Sequence, residues 1–358
     1  MKNLLIVQPA LMSYRIPVFL GLSSVMQLRV LTVSPHEQEH TARDVEGLEI
    51  RYGRCFSVAN QRVVYQSGLL KELLREKYDY MILASHVGSI SNWLALLFGA
   101  LLKAKVCVHG QGLFRRRHKK AWRQLLTILE LHLCDRYLAY TSGCAEGLKE
   151  VVPEYLHRKI RVVSNTLQLK HLFSPAERLR SAELGVLFIG RLRDRCSLDC
   201  LVNALLLLRA WHDIDFKLHV IGGGDLHFQY EESYSNLNWI KFYGPVTDEQ
   251  SICDLSRSCF AGVYPGAAGL SVVHYFSLSL PAIVFSDLSE HMGPEPEYVE
   301  DGFNGYMFKK GDDSSLAAAI WKSFLRRNEI DMYSAAWERY LELSRPSLSD
   351  RIYQALIS

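Results

Sequence analysis

The stretch Val263–Pro281, VYPGAAGLSVVHYFSLSLP, decides how the rest of the chain is read. Phe260–Tyr264 is apolar enough for a buried strand, Pro265–Leu270 is a turn of small residues, and a helix is expected from near Ser271. A strand passing through a tight turn into a helix is the repeating unit of a parallel α/β sheet. The start of such a helix exposes unpaired N–H groups and the positive end of its dipole, and so attracts anions. Gly266 and Gly269 would let a diphosphate approach the main chain, with the amides of Gly269, Leu270 and Ser271 as donors. His274, one turn in, is within reach of a sugar hydroxyl or a phosphate. A histidine satisfied within the core is the plainer account of it.

The same alternation extends in both directions. Upstream, strands are expected at Leu4–Gln8, Leu28–Val33, Tyr80–Ala84, Lys105–His109, Arg136–Tyr140 and Ile160–Val163, with helical patterns such as Ala121–Leu133 between them. Around 166–184 the pattern lapses into TLQLKHLFSPAERLRSAEL, which reads as a linker. Strands resume at Gly185–Gly190, Phe216–Ile221, Trp239–Tyr243, Phe260–Tyr264, Pro281–Phe285 and Gly305–Phe308. The expectation is two doubly wound, Rossmann-like α/β domains, 1–168 and 185–335, joined by 169–184 and followed by a terminal helix within 336–358 that packs back on the first domain.

Composition narrows the class. At 358 residues, 49% hydrophobic and 22% charged, the chain is neither disordered nor fibrous, and no apolar run reaches the 18 residues a membrane span needs. The opening MKNLLIVQPALM is interrupted by Gln8 and Pro9 and fits a strand better than a signal peptide. The eight cysteines form no C-x-x-C pair and no zinc spacing, which points to reduced thiols and a cytoplasmic setting. Charge is uneven: residues 1–180 hold 26 Lys+Arg against 14 Asp+Glu, giving +12, and the remainder holds 15 against 24, giving −9. The basic half is suited to a phosphate-bearing substrate, nucleic acid or an anionic membrane.

In open parallel sheets ligands bind beyond the carboxyl ends of the strands. GVLFIGRLRDRC ends a strand in Gly190–Arg191, and a guanidinium there can chelate phosphate through two N–H donors, with Arg195 nearby. FKLHVIGGGD places Gly222 and Gly223 after the next strand; the triplet does not match G-x-G-x-x-G, and taken alone it is better explained as a structural turn.

Taken in order, GRL, GGG, FYG, YPG..GLS, PAIV and EDGFNGYMF resemble the nucleotide-sugar-binding half of family 4 glycosyltransferases with the GT-B fold, over residues 184–325. QPALMSYRIPVF, VCVHGQG and YLAYTSGCAEGL resemble the first half of bacterial members that build surface polysaccharides such as lipopolysaccharide O-antigen or capsule. The resemblance implies two domains facing across a cleft, a retaining, metal-independent transfer with no cofactor, and a nucleotide diphosphate sugar as donor. The implied acceptor is a saccharide or lipid-linked saccharide.

Residue by residue, the resemblance gives Arg191 the donor diphosphate and a catalytic part, while the family's lysine position falls on Cys196, with Arg195 as substitute. The first family glutamate of the strand-to-helix turn is Gly266 here and the second is His274; Gly269 and Leu270 match. Glu295 and Glu297 lie in the family's P-E segment and could supply the missing acidic contact; capping of a helix is the alternative for either. Gly244 and Val246 lie where the base is held through the backbone, and His109 matches a cleft histidine given a catalytic role, a histidine that merely ends a strand being the equal alternative.

LFRRRHKKAWRQLL carries Arg115, Arg116, Arg117, Lys119 and Lys120, then Trp122 on an amphipathic stretch. With Arg15, these residues are expected to serve the acceptor or an anionic membrane at the inner face of the plasma membrane; a solvated helix face is the alternative. No RNA-binding motif accompanies the charge, so nucleic acid is not an expected partner. The rival readings are a sugar-nucleotide epimerase or hydrolase of the same fold, and a non-catalytic nucleotide-sugar-binding relative.

Overall fold

The computed structural model describes residues 1–33, 45–58, 63–113 and 121–358. The chain forms two compact units, Met1–Gln168 with Pro346–Ser358, and Leu169–Arg345.

The first unit holds β1 (Asn3–Val7), β2 (Gln27–Val33), β3 (Glu49–Gly53), β4 (Cys55–Val58), β5 (Val63–Gln66), β6 (Tyr80–Ala84), β7 (Lys105–Gly110), β8 (Arg136–Ala139) and β9 (Ile160–Val162). Seven of these make a parallel sheet in the order β3-β2-β1-β6-β7-β8-β9, and β4 and β5 pair antiparallel as a separate ribbon. Side chains alternate across a strand. Leu5, Val7, Leu83 and Val108 therefore enter one apolar layer with Leu96 and Leu148, while Leu4, Ile6, Val30 and Ile82 enter another with Phe19, Leu22 and Ile352.

The second unit holds β10 (Gly185–Ile189), β11 (Lys217–Ile221), β12 (Ile240–Phe242), β13 (Cys259–Val263), β14 (Ala282–Phe285) and β15 (Gly305–Phe308). They form a parallel sheet in the order β12-β11-β10-β13-β14-β15. The order reverses between β10 and β13, so the crevice for a ligand lies beyond the ends of those two strands. Both sheets are doubly wound, as the alternation of elements predicts.

Two expected boundaries are corrected. Residues 169–184 are not a spacer but part of the second unit. Ser174 and Glu177 form a capping box on the helix Pro175–Ser181, and that helix buries Arg178 completely. The Arg178 guanidinium donates to the carbonyls of Leu278 (3.1 Å), Ser256 (2.5 Å), Arg257 (3.0 Å) and Cys259 (3.1 Å) and to Ser256 Oγ (3.0 Å). Its face covers the Phe173 ring at 4.1 Å. Charged residues that read as solvated are thus spent on core carbonyls. Likewise, 336–358 is not one terminal helix. Ile330–Ser344 belongs to the second unit; the chain breaks at Arg345–Pro346, and Leu348–Ile357 belongs to the first. There Arg351 donates to the carbonyls of Val163 (2.7 Å) and Ser164 (3.1 Å).

Arg178→Ala removes the guanidinium donors from the carbonyls of Leu278, Arg257 and Cys259 and leaves Ser256 O with Cys259 N–H alone; a buried carbonyl left unpaired costs ~1–3 kcal/mol. Urea unfolding of the variant is expected to show a loss of ~3 kcal/mol or more. Arg178→Lys should recover only part of it, because an ammonium lacks the planar fork of donors.

Candidate active site

At the switch point the loops after β10 and β11 are laced together through their main chains. Gly190 N–H donates to Ile221 O (3.0 Å), Leu192 N–H to Gly223 O (2.9 Å) and Gly222 N–H to Gly244 O (2.8 Å). Gly222 sits at φ +144°, and a Cβ there would overlap the Gly190 carbonyl. The glycine triplet therefore serves loop packing, with Gly223 giving its carbonyl to Leu192. Gly244, at φ +67°, faces open space, and Val246 beyond it is half-buried.

Arg191 follows β10 as expected. Its Nη2 is buried and has no hydrogen-bond partner. Arg195 is exposed and is tied by Nη2 to the Glu290 carbonyl at 3.0 Å, on the loop after β14. Of the two arginines, Arg191 is the one with donor capacity to spare.

The turn after β13 explains why its first acidic position is glycine. Gly266 is buried, and a Cβ on it would overlap the Arg195 carbonyl and lie 2.6 Å from Cys196 C and O. Ala267 N–H then donates to Arg195 O (2.8 Å). Gly266 thus packs one loop closely against another. No side chain, acidic or otherwise, fits there without moving backbone.

The next residues are held by a histidine that no sequence motif marks. His291 is fully buried. Its Nδ1 accepts from Ala268 N–H (3.1 Å), its Nε2 donates to Phe285 O (2.9 Å), and its ring stacks on Phe285 with centroids 3.7 Å apart. The Ala268 carbonyl in turn accepts from Met292 (2.9 Å) and Gly293 (3.1 Å). This brings the loop after β14 against the turn and buries Glu295 beside Gly269. A Cβ on Gly269 would lie 3.5 Å from Glu295 Oε2, and one on Gly293 would overlap that carboxylate. A carboxylate absent from the turn in sequence is thus returned to it in space; Glu297, on the same 3-10 turn, is half-buried.

The helix begins at Ser271, with Leu270 as N-cap and no side-chain cap. Val272 N–H is bonded to Gly269 O and His274 N–H to Leu270 O, while the amides of Gly269, Leu270 and Ser271 donate to no acceptor among the described residues. His274 is half-buried, and burial pushes its pKa down to about 4, so it is neutral at pH 7. Tyr275, on the same helix, clamps the two strands of the switch point: Ile189 N–H donates to its hydroxyl (3.0 Å), which donates to Val263 O (3.1 Å).

In the first unit, Arg15 and His109 come together near the ends of β1 and β7. Both are buried, both lie against Tyr140 (5.7 Å and 4.6 Å to its ring centroid), and Arg15 Nη1 and His109 Nε2 lack partners. Burial, aided by the Arg15 charge, holds His109 down to about 3. Arg115, Arg116, Arg117, Lys119 and Lys120 lie outside the described residues. Trp122 is exposed with Leu125 and Leu129 on the helix Ala121–Leu133, an apolar stripe facing water. Among the described residues no helix is long and apolar enough to cross a membrane, and no group of three His, Cys, Asp or Glu side chains is placed to hold a metal. The D-x-D tripeptide Asp213–Asp215 precedes β11, away from its carboxyl end, and Asp215 pairs with Arg209 at 2.7 Å.

Restoring the acid at the turn should fail. Gly266→Glu is expected to lower the melting temperature markedly and to weaken ligand binding, read by calorimetry, since its Cβ displaces the Arg195–Cys196 backbone. Acid should also destabilise the protein. The unfolded chain takes up protons on His109 and His274 near 6.5, and the folded chain only near 3 and 4. Their contribution is therefore complete above pH 6.5 and lost as pH falls toward 4 and below. Melting temperatures across pH 7 to 4 should fall, with a shallower slope in His274→Gln.

Comparison with known proteins places this geometry. Residues 183–324 match the family model described as "Glycosyl transferases group 1". No curated protein matches the chain significantly. Among solved structures, HepE from Anabaena in complex with UDP aligns over all of both chains with a TM-score of 0.72 and 12% identity. Sucrose-phosphate synthase from Thermosynechococcus elongatus aligns over 99% of this chain and 98% of its own, with a TM-score of 0.73 and 14% identity. The lipopolysaccharide outer core galactosyltransferase WaaB, in its apo form, aligns over 100% and 99% with a TM-score of 0.66 and 17% identity. Residues 183–324 of the second unit are thus similar to a glycosyltransferase group 1 domain, in a chain whose two Rossmann-like halves have the GT-B fold.

Proposed function

We propose that the protein transfers a sugar, with retention of anomeric configuration, from a nucleotide diphosphate sugar to a saccharide or lipid-linked saccharide in bacterial surface-polysaccharide synthesis. The observation that carries this reading is the pairing of donors at one switch point. Arg191, with a buried and unpartnered Nη2, follows β10, and the free amides of Gly269–Ser271 follow β13. As the glycosidic bond to the diphosphate breaks, the departing oxygens gain negative charge. Donors fixed in advance by laced loops stabilise that charge without reorganising. This is the part a divalent cation would otherwise take, and it supports a metal-independent transfer.

Glu295 supplies the acceptor for hydroxyls of the donor sugar, and neutral His274 offers one donor and one acceptor to a ribose hydroxyl. The HepE structures contain UDP, glucose and UDP-glucose, which favours a uridine nucleotide as the first donor to try. Arg15 and His109 are the polar groups available to an acceptor on the first unit. The exposed stripe of Trp122, Leu125 and Leu129, following a run of five Arg and Lys, supports peripheral docking on an anionic membrane.

Arg191→Ala is expected to weaken UDP binding by ~1.5–3 kcal/mol, the range of a charge-assisted hydrogen bond, in titration calorimetry. Glu295→Gln should leave UDP affinity intact and lower turnover of the nucleotide sugar. Failure of the wild-type protein to bind any of UDP, GDP and dTDP, or to release nucleotide from any of their sugars, would overturn the reading. Inversion in the product, read by NMR, would overturn retention alone.

A further inference from the structure

At the opposite edge of the first unit's sheet, where β7 and β8 begin, lies a groove of about 360 Å³. Its wall carries five cations, Lys105, Arg136, Arg158, Lys159 and Arg161, against one carboxylate, Asp135. The carboxylate is engaged by Val106 N–H at 2.7 Å. Two of the cations are held in place by main chain. Lys159 Nζ donates to the carbonyls of Leu131, His132 and Cys134 at the end of the helix Ala121–Leu133, and Arg161 Nη1 donates to those of Arg158 and Ile160. Lys105, Arg136 and Arg158 make no ion pair among the described residues.

Protein surfaces ordinarily interleave the two signs of charge. Five like charges around one concavity repel one another and focus a positive field into it, and a multivalent anion relieves both. Two guanidinium groups with free donors match phosphate oxygens in pairs, and the volume suits a small phosphate-bearing group. Parallel sheets bind substrates beyond their carboxyl ends. This groove is at the amino ends, so it is separate from Arg15 and His109.

We propose that this groove is a second binding site, for a phosphate-bearing anion gripped by Arg136 and Arg158 and drawn in by Lys105. It does not depend on the glycosyl-transfer reading. The phosphate has two sources, free pyrophosphate or the headgroup of an anionic lipid.

The test uses the full chain and inorganic pyrophosphate, followed by titration calorimetry with saturating UDP present. The Arg136→Gln/Arg158→Gln double variant should bind pyrophosphate roughly tenfold more weakly or worse, Lys105→Gln should lie between it and wild type, and Lys322→Gln, on the second unit, should match wild type. Unchanged melting temperatures exclude misfolding as the cause. In parallel, sedimentation with phosphatidylglycerol and with phosphatidylcholine vesicles separates the sources. Loss of anionic-vesicle binding in the double variant assigns a lipid phosphate, and loss of pyrophosphate binding alone assigns a free one. If wild type and double variant bind both probes equally, or wild type binds neither, the site does not exist.

Discussion

The second unit depends on a buried cation that has no carboxylate. Arg178 reaches the carbonyl that opens β13, at Cys259, and the carbonyl just past the helix Ser271–Ser277, at Leu278. One guanidinium thus ties together the two ends of the strand–turn–helix segment that carries the candidate site. Burial lowers its pKa, yet it is surrounded by acceptors whose own desolvation would be uncompensated without it. The geometry of the turn is therefore inherited from a residue well outside it in sequence.

Within that frame, the site is shaped by how closely main chain packs on main chain. Gly222 lies against the Gly190 carbonyl and Gly266 against the Arg195–Cys196 peptide. Such contacts exclude side chains, and acidic groups with them, from the floor of the crevice. A carboxylate is brought in sideways instead, at Glu295, through a loop that His291 fastens to Ala268. The result is a positive, donor-rich floor with one carboxylate at its margin, an arrangement suited to a ligand with a charged diphosphate and a neutral, hydroxylated sugar.

Much of this was legible in the sequence, for physical reasons that also mark its limits. Strands of the two parallel sheets are buried on both faces and read as apolar runs, so their positions stood out. β3 did not, because Glu49 and Arg51 alternate on an exposed edge, and β4 is exposed along its length. Arg191 was legible because a cation directly after a strand has few structural uses. Arg178 was misread as part of a linker, since residue type cannot distinguish a solvated arginine from one satisfied by carbonyls. His291 and Tyr275 left no trace in spacing, for their partners are main-chain atoms. Gly266 was legible as a departure from the family pattern but not as a packing constraint, because the atoms that forbid its Cβ lie some seventy residues earlier, at Arg195 and Cys196.

The crossing at Arg345–Pro346 bears on how the protein is made. Leu348, Ile352 and Leu356 belong to the same apolar layer as Leu4, Val18 and Leu22. During synthesis the first unit therefore emerges with that layer incomplete, covered by Val18, Phe19 and Leu22 but lacking Leu348, Ile352 and Leu356 until the whole second unit is translated. Domains generally fold as they leave the ribosome, N-terminal first. Here the order is partly inverted, because the first unit is sealed only when residues 348–356 arrive and Arg351 reaches Val163. That one returning helix makes the core of the first unit discontinuous in sequence, so its last apolar residues are supplied from the far side of the second unit's chain.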